Sequence, residues 1–113
     1  MSNGINDIVR KIIEFRDERN WSQFHSVKDL LIGLNIELGE LQELFLWKSD
    51  SEVENVDKER IENEVADIAI FLIYICRHFD IDLLNAITEK IEINSKKYPV
   101  EKSRNSHKKY NEL

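Results

Sequence analysis

Two pairs of acidic residues have a spacing that brings two carboxylates to one face of a helix. Glu37 and Glu40 form the first pair, and Glu64 and Asp67 form the second. Residues three apart occupy neighbouring positions on a helix surface. Both pairs are flanked by apolar residues, so their like charges would repel one another where hydration is poor. The pattern therefore predicts that a proton, a basic partner or a cation neutralises them.

A hard cation that prefers oxygen ligands is the partner that four carboxylates from two helices suit best. We expect all four to converge on Mg2+, with the metal holding the phosphates of a nucleotide, because Mg2+ sites combine few carboxylates with water and substrate phosphates. A di-iron carboxylate bundle would need Glu-x-x-His pairs, and none of the histidines follows a Glu at that spacing. Zinc would require a cluster of Cys and His residues, which the sequence lacks.

The acidic pairs also have simpler interpretations. Glu-x-x-Glu is frequent on ordinary helix surfaces, so the first pair alone does not establish a site. Asp67 is the stronger observation, because it is the only charged residue from Val65 to Cys76 and a carboxylate in an apolar helix is costly without a partner. Two alternatives stay open: a non-catalytic helical module that pairs these residues with Lys or Arg of another subunit, and a nucleotide sensor that does not cleave.

Hydrophobic periodicity predicts an all-α subunit that resembles a four-helix bundle. Apolar residues recur at helical spacing in four segments, and three glycines and one proline leave little material for turns. A chain of 113 residues is expected to form a single domain, 1–113. The predicted helices span residues 5–19, 27–47 or 27–48, 58–79, and 83–97.

Capping residues indicate where the helices begin. The sequence from 20 to 26 predicts an irregular loop, and the sequence from 48 to 57 predicts a polar connection. The segment 100–113 is polar and basic, and it is either a frayed tail or an arm that docks on phosphates or a neighbour. The expected caps are Ser26 for the second helix, Asn55 or Asp57 for the third, and Asp80 or Asp82 for the fourth, which Tyr98-Pro99 ends.

The third predicted helix indicates oligomerisation. Nearly every residue from Val65 to Cys76 is apolar, and a helix that is apolar all round must be enclosed on all sides. One subunit of this size has too few helices for that. We therefore expect a homodimer or homotetramer in which helices of neighbouring subunits pack face to face.

Charge and hydrophobicity argue against several classes of protein. The net charge of -6 provides no electrostatic footprint for DNA or RNA. The longest apolar run, 68–76, is far shorter than a membrane span, and the N-terminus lacks a signal-peptide pattern. The single cysteine, Cys76, cannot form an internal disulfide. We expect a cytoplasmic protein that binds neither nucleic acid nor membranes.

Aromatic and basic residues near the acidic pairs are candidates for binding a nucleotide. Trp47 follows Glu40 by seven residues, so in one continuous helix it would share the acidic face two turns later. Trp21 lies in the preceding loop, and both indoles could stack on a nucleobase, although such residues more often belong to a core. His25 could donate to a phosphate or base, or serve a capping or surface role. Basic residues offer partners for the phosphates, or are simply solvated: Lys48, Lys96, Lys97, Arg104, Lys108 and Lys109.

Five stretches resemble the MazG-like, all-α nucleoside triphosphate pyrophosphohydrolases, most closely their dCTP pyrophosphatase branch. The order of the acidic pairs, together with the Trp-containing loop, Trp47 and the Lys-Tyr-Pro helix end, makes the resemblance specific. Asn63 stands where the family usually has a second acidic residue, and Ile36 stands where many members carry Glu. Neither departure affects an expected ligand. The stretches are 15–25, 37–48, 63–74, 93–99 and 106–113.

The resemblance implies both a reaction and a site. In the family the acidic motifs bind Mg2+, and the enzyme cleaves a (deoxy)nucleoside triphosphate between its α and β phosphates, here dCTP or a related dNTP, to clean the nucleotide pool. Glu37 or Glu40 would orient the attacking water. Family members assemble as dimers or tetramers. The matching metal positions are Glu37, Glu40, Glu64 and Asp67; the matching base-pocket aromatics are Trp21 and Trp47; and Asn94, Lys97 and Tyr98 match polar positions near the nucleotide.

Overall fold

A computed structural model describes residues 4–113, and those residues contain helices and turns but no strand. The all-α class is therefore confirmed, and the four longest helices correspond to the four predicted ones. Short 3-10 turns lie at Trp21–Phe24 and Tyr110–Glu112. The helices are α1 (Ile5–Glu18), α2 (Val27–Glu43), α3 (Asp50–Val53), α4 (Lys58–His78), α5 (Leu83–Lys97) and α6 (Val100–Ser103).

Contacts within the chain define two compact units, one ending at Asp80 and the other comprising Ile81–Leu113. The first unit holds α1 to α4, and its most extensive contact is between α2 and α4. The second unit holds α5, α6 and the 3-10 turn Tyr110–Glu112. A single domain over residues 1–113 stays a prediction. No helix among residues 4–113 is long and apolar enough to cross a membrane.

Side-chain caps begin three of the long helices. An oxygen of Ser26, Asp57 or Asp82 accepts a hydrogen bond from a backbone N–H two or three residues later, at 3.1–3.2 Å. These bonds satisfy donors of the first turn that have no partner within the helix. The structure confirms Ser26 and selects Asp57 over Asn55 and Asp82 over Asp80.

The core of the first unit joins α1, α2 and α4. Ile13 of α1, Leu30 of α2 and Tyr74 of α4 are buried against one another. Partly buried apolar residues of α1 and α4 surround them. Each acidic pair lies on a helix that contributes to this core, the first on α2 and the second on α4. The packing of the core therefore holds the two helices of the candidate site in place. The surrounding residues are Val9, Ile12, Ile70, Phe71 and Ile75.

Gly33 permits close packing of α2 on α4. A methyl group at this position would lie 2.5 Å from Cε1 and 2.7 Å from Cζ of Phe71. The Phe71 ring also packs edge-on against the buried Tyr74, with 6.2 Å between ring centroids. The ring is therefore also in contact with a buried residue, and a larger residue at position 33 would force a shift in the packed interface.

We expect Gly33→Ala to destabilise the fold by about 1–2 kcal/mol, because overpacking against Phe71 outweighs the gain in helix propensity. Gly39→Ala is the matched control on the same helix, since nothing lies within 4 Å of its added methyl group. That control should stabilise the protein by about 0.5–1 kcal/mol. Thermal denaturation measures both changes, and stabilisation by both substitutions would contradict close packing at Gly33.

The second helix ends earlier than expected. The sequence predicts helix to Trp47 or Lys48, whereas α2 ends at Glu43. The next N–H groups, including those of Leu44 and Phe45, donate to carbonyls three residues earlier at 3.0–3.2 Å, which is a tighter turn than an α-helix. Leu44 is buried and Phe45 is half-buried, so tertiary packing favours the turn. Trp47 has a left-handed φ of 64°, and its predicted place on the acidic face of α2 is wrong.

Segments that the sequence predicts as irregular contain short helices. The loop 20–26 includes the 3-10 turn Trp21–Phe24, and the connection 48–57 includes α3. Reciprocal hydrogen bonds between Ser49 and Glu52 form a capping box that begins α3. The final segment, 100–113, contains α6 and a 3-10 turn. Local capping and turns therefore give regular structure to segments whose sequences lack a hydrophobic periodicity.

Several apolar residues expected to face a core are exposed in the single chain. Apolar residues recur at helical spacing along α5, which predicts an inward face, but most of them are exposed because the second unit contains only the four-residue helix α6 and a 3-10 turn besides α5. The helical spacing of apolar residues on α2 likewise predicts a core face, and some of its members are exposed. The exposed residues are Leu84, Ile87, Ile91 and Ile93 on α5, and Leu31 and Leu38 on α2.

Candidate functional site

Three of the four acidic residues converge at the interface between α2 and α4. Glu37, Glu40 and Glu64 each offer one carboxylate oxygen, and these oxygens lie within 4.8 Å of one another. The close contact of Gly33 with Phe71 lies one helical turn from Glu37 and about two turns from Glu64. The tight packing of the two helices therefore positions the carboxylates.

Asp67 lies one turn from Glu64 on α4 and is not a member of this close group. Its side chain is exposed. Its charge nevertheless contributes to raising the pKa of both Glu37 and Glu64, so it is electrostatically part of the same acidic surface. Its assignment as a metal ligand stays a prediction.

Two oxygen atoms of the cluster are buried without a partner. Oε2 of Glu37 and Oε2 of Glu64 accept no hydrogen bond from residues 4–113. Across residues 4–113, no Lys or Arg forms an ion pair with any of the four acidic residues. Buried carboxylate oxygens are costly when they are neither hydrogen-bonded nor paired. The all-oxygen donor set and its unpartnered atoms therefore fit a hard divalent cation.

Crowding also changes the protonation of these carboxyl groups. Burial, followed by the neighbouring Glu40 carboxyl and the charge of Asp67, raises the pKa of Glu37 to about 7. Burial and Glu40 likewise raise the pKa of Glu64. Without a cation the cluster therefore retains a proton near neutral pH, and a divalent cation would displace that proton.

His25 packs against the core of the first unit. Its ring centroid lies 4.6 Å from that of Tyr74, and its Nδ1 atom is buried without a hydrogen-bond partner in the part of the chain that the structure describes. Burial and the charge of Arg16 lower the pKa of His25, so the imidazole is neutral near pH 7. Ser26, and not His25, caps α2. A neutral ring nitrogen without a partner leaves His25 able to hydrogen-bond a ligand.

The two tryptophans occupy different environments. Trp21 packs edge-on against Phe15 at 5.7 Å between centroids, and the Arg19 guanidinium lies 5.9 Å from the indole. Trp47 is 92% exposed and lies in the turn after α2. The adjacent Lys48 is also exposed. Trp21 is therefore held by its neighbours, whereas the described residues leave Trp47 almost uncovered.

The remaining predicted residues lie at the end of α5, in the second unit. Asn94, Lys97 and Tyr98 are exposed. The backbone N–H of Tyr98 donates to the carbonyl of Asn94 at 2.8 Å, which closes the helix end. Lys97 Nζ lies 5.0 Å from the centroid of the Tyr110 ring. The structure thus places these side chains together at one helix end.

Tyr74 and Arg16 form the environment of His25, and the sequence pattern did not single out either residue for this role. Tyr74 is buried beneath His25, and the Arg16 guanidinium lies 5.8 Å from the Tyr74 ring. A signal for Tyr74 was present, because it carries the only hydroxyl group in the apolar run 68–76. Arg16 carries no such signal, since it lies among several charged residues at the end of α1.

Comparisons with known proteins agree with this architecture. The family model described as the MazG-like family matches residues 32–113. The dCTP pyrophosphatase 1 of Homo sapiens is 38% identical over 114 aligned residues, which cover 96% of this chain and 67% of that protein. The corresponding protein of Mus musculus is 41% identical with the same coverage.

A solved structure supports the same relationship. The crystal structure of a pyrophosphatase from Archaeoglobus fulgidus superposes with a TM-score of 0.81 at 34% sequence identity, covering 88% of this chain and 95% of that chain. Its match extends over most of the described helices, beyond the acidic residues alone. The chain therefore belongs to the MazG-like family, and it is a nucleoside triphosphate pyrophosphohydrolase related to the dCTP pyrophosphatases.

Proposed function

We propose that this enzyme hydrolyses dCTP or a related dNTP to the monophosphate and pyrophosphate in a Mg2+-dependent reaction, and so cleans the nucleotide pool. The observation that carries the proposal is the group of Glu37, Glu40 and Glu64, whose oxygens lie within 4.8 Å of one another and include two buried atoms without partners. The preference for dCTP is supported by the relatives named dCTP pyrophosphatase 1.

The metal assignment follows from the chemistry of the donor atoms. Glu37, Glu40 and Glu64 would hold the cation together with Asp67, and carboxylates without nitrogen or sulfur donors favour Mg2+ over softer metals. When bound, Mg2+ neutralises the triphosphate and stabilises the charge of the leaving pyrophosphate. The departures at Asn63 and Ile36 leave these four positions intact.

One carboxylate of the cluster would also orient the attacking water. We assign Glu37 or Glu40 to accept a hydrogen bond from a water and to direct it at the α-phosphorus. A bond forms between the water oxygen and the α-phosphorus as the bond to the bridging α–β oxygen breaks, and the carboxylate takes the water's proton. Glu40 is exposed and Glu37 is half-buried, so the two differ in access to water.

The nucleotide would be held by aromatic and polar residues. Trp21 and Trp47 offer indole rings for stacking on the base. His25 contributes a neutral ring nitrogen to the base or a phosphate. Charged and polar groups for the triphosphate are Lys48, Lys97, Asn94 and Tyr98.

We further propose that the enzyme is a homodimer or homotetramer. Large apolar side chains are exposed on both helices that carry the acidic pairs. Exposed apolar side chains of this size and number are typical of a surface that another subunit covers. The exposed residues are Leu31, Ile32, Ile36 and Leu38 on α2, and Val65 and Leu72 on α4.

A product assay tests the proposed reaction. The protein is incubated with each of dCTP, dTTP, dUTP, dATP and dGTP, with either Mg2+ or EDTA, and the products are separated by ion-exchange chromatography. The proposal requires monophosphate and pyrophosphate, the highest kcat/KM for dCTP or a related pyrimidine, and loss of turnover in EDTA. Turnover that persists in EDTA would refute the metal assignment, and a purine preference would refute the substrate assignment.

The stability of the metal-free protein should depend on pH through the acidic cluster. The pKa of Glu37 is about 7 when folded, against an ordinary value of 4.5, and the pKa of Glu64 is also raised. A raised folded-state pKa contributes stability that is present below pH 4.5 and is lost as the pH rises through 7. We therefore expect a stability loss across this window in EDTA.

Mg2+ should offset much of the stability that the metal-free protein loses as the pH rises, because it binds the ionised carboxylates and adds binding free energy to the folded state. Thermal unfolding from pH 5 to 8.5, in EDTA and in excess Mg2+, measures the difference between the two curves. That difference should grow with pH up to about 7. Parallel curves would contradict a cation site at these carboxylates, whatever the shape of either curve.

A further inference from the structure

We propose that Tyr110 is a positioning residue that holds Lys97 and Tyr98 ready to bind the triphosphate. This inference rests on the proposed function, which assigns Lys97 and Tyr98 to the nucleotide. Tyr110 itself need not touch the substrate. Its role is to restrict the side chains at the end of α5 before the nucleotide arrives.

The geometry brings Tyr110 onto both residues at once. Lys97 Nζ lies 5.0 Å from the centroid of the Tyr110 ring, within the range of a cation–π interaction. The rings of Tyr98 and Tyr110 meet edge to face, with 6.1 Å between centroids and 84° between planes, which is a favoured aromatic arrangement. One ring therefore contacts two adjacent candidate residues.

The chain between these residues has a defined course. The segment after Tyr98 forms α6 and then turns, with the Ser106 N–H donating to the Ser103 carbonyl at 3.0 Å. The Lys108 N–H donates to Ser106 Oγ at 3.2 Å, and a 3-10 turn begins at Tyr110. Of the two sequence-based alternatives for the tail, a frayed end does not describe this return, which brings Tyr110 back to the end of α5.

An aromatic ring suits this task better than a carboxylate would. Lys97 forms no salt bridge with any carboxylate among residues 4–113, so its charge stays available to a phosphate. A carboxylate partner would have to be displaced first, whereas the face of a ring restrains the ammonium without neutralising it. A lysine that is already ordered loses less side-chain entropy on binding. The arrangement therefore favours nucleotide affinity over the rate of the chemical step.

The kinetic test uses Tyr110→Leu and Tyr110→Phe in the full chain with Mg2+ and dCTP. Tyr110→Leu should raise KM by about 2–10-fold, the value of a single cation–π or aromatic contact, with kcat changed less. Tyr110→Phe keeps the ring and should restore a KM close to that of the unmodified protein. An unchanged KM in Tyr110→Leu, or an equal rise in Tyr110→Phe, would overturn the inference.

A double-mutant cycle separates positioning from general stabilisation. In a Lys97→Met background, Tyr110→Leu should have a much smaller effect on KM, because the residue through which it acts is gone. Lys90→Met, at an exposed position on the same helix, is the matched control and should leave the effect of Tyr110→Leu intact. Full additivity with Lys97→Met would overturn the inference.

A spectroscopic readout does not depend on activity. In the nucleotide-free protein, the ring current of Tyr110 should shift the Lys97 ε-methylene proton resonances upfield relative to those of Lys90. Tyr110→Leu should abolish that shift, and Tyr110→Phe should retain it. Absence of the shift in the unmodified protein would overturn the contact.

The same measurements distinguish two kinds of failure. An unchanged KM in Lys97→Met would remove Lys97 from the nucleotide site and overturn the inference, even with the ring-current shift present. The metal part of the proposed function would be untouched by that result, because it is judged separately by the effect of EDTA and of Glu37→Gln.

Discussion

Glu37→Gln is expected to lower kcat/KM at least about 100-fold and, at the same time, to stabilise the metal-free protein at pH 8. The activity falls because the substitution removes a charged ligand or water-orienting carboxylate while keeping the size of the side chain. The stability rises because burial, the neighbouring Glu40 and the charge of Asp67 all disfavour the ionised form of Glu37, whose pKa is raised to about 7. A neutral amide does not carry that penalty.

Steady-state kinetics and thermal unfolding in EDTA measure the two changes on one preparation. Glu43→Gln is the matched control, because Glu43 is an exposed residue in the last turn of the same helix. It should leave both activity and stability nearly unchanged. A Glu37→Gln protein that is less stable than the unmodified one in EDTA at pH 8 would show that Glu37 is held by favourable contacts, and retained activity would remove it from the site.

Trp47→Ala is expected to raise KM about 5–150-fold, the value of stacking one base on an aromatic ring, with a thermal midpoint close to that of the unmodified protein. Trp47 is 92% exposed, so its removal takes little buried area from the single chain. Its backbone also has a left-handed φ of 64°, which is unfavourable for a residue with a side chain. Residues 4–113 leave this indole almost uncovered, and stacking on a base would account for a large aromatic side chain on an unfavourable backbone.

The matched controls are Trp47→Phe and Leu46→Ala. Trp47→Phe keeps an aromatic face and should recover part of the affinity. Leu46 is the adjacent exposed apolar residue, and its replacement should have little effect on KM. If Trp47→Ala and Leu46→Ala change KM alike, the turn as a whole is responsible. If Trp47→Ala lowers the thermal midpoint strongly without changing KM, the indole contributes to subunit packing instead.

The convergence of Glu37, Glu40 and Glu64 could be predicted in outline, because helical spacing brings the carboxylates of each pair to one face and apolar flanks pack α2 against α4. Three residues along a helix bring two carboxylates to one face, whatever the rest of the fold does. Gly33 was the missing element. Its contact with Phe71 sets how closely the helices approach, and a sequence pattern does not show which glycine faces which ring.

The end of α2 could not be predicted, because local periodicity continues through Phe45 to Trp47 while tertiary packing does not. The burial of Leu44 favours a tighter turn, which leaves Trp47 outside the helix. The exposed apolar residues of α5 illustrate a related limit. Periodicity shows that one face must be covered, but it does not identify the surface that covers it.

The sequence predicted the position of His25 but not its contacts. Its position beside the N-cap of α2 follows from the sequence, and a surface or capping role was a reasonable alternative. Contact with Tyr74, which lies on α4, makes it instead a neutral, half-buried ring with an unpartnered Nδ1. Such a long-range contact depends on how α2 and α4 pack and has no local signature.

Hydrolysis of dCTP in water enriched in oxygen-18 tests the central claim most directly. If a water directed by the acidic cluster attacks the α-phosphorus, mass spectrometry will find the heavy oxygen in the monophosphate and none in the pyrophosphate. The label should appear only when Mg2+ is present, and Glu37→Gln should suppress it. Heavy oxygen in the pyrophosphate would place the attack at the β-phosphorus, and diphosphate with labelled inorganic phosphate would place it at the γ-phosphorus; either result would contradict the reaction assigned to this site.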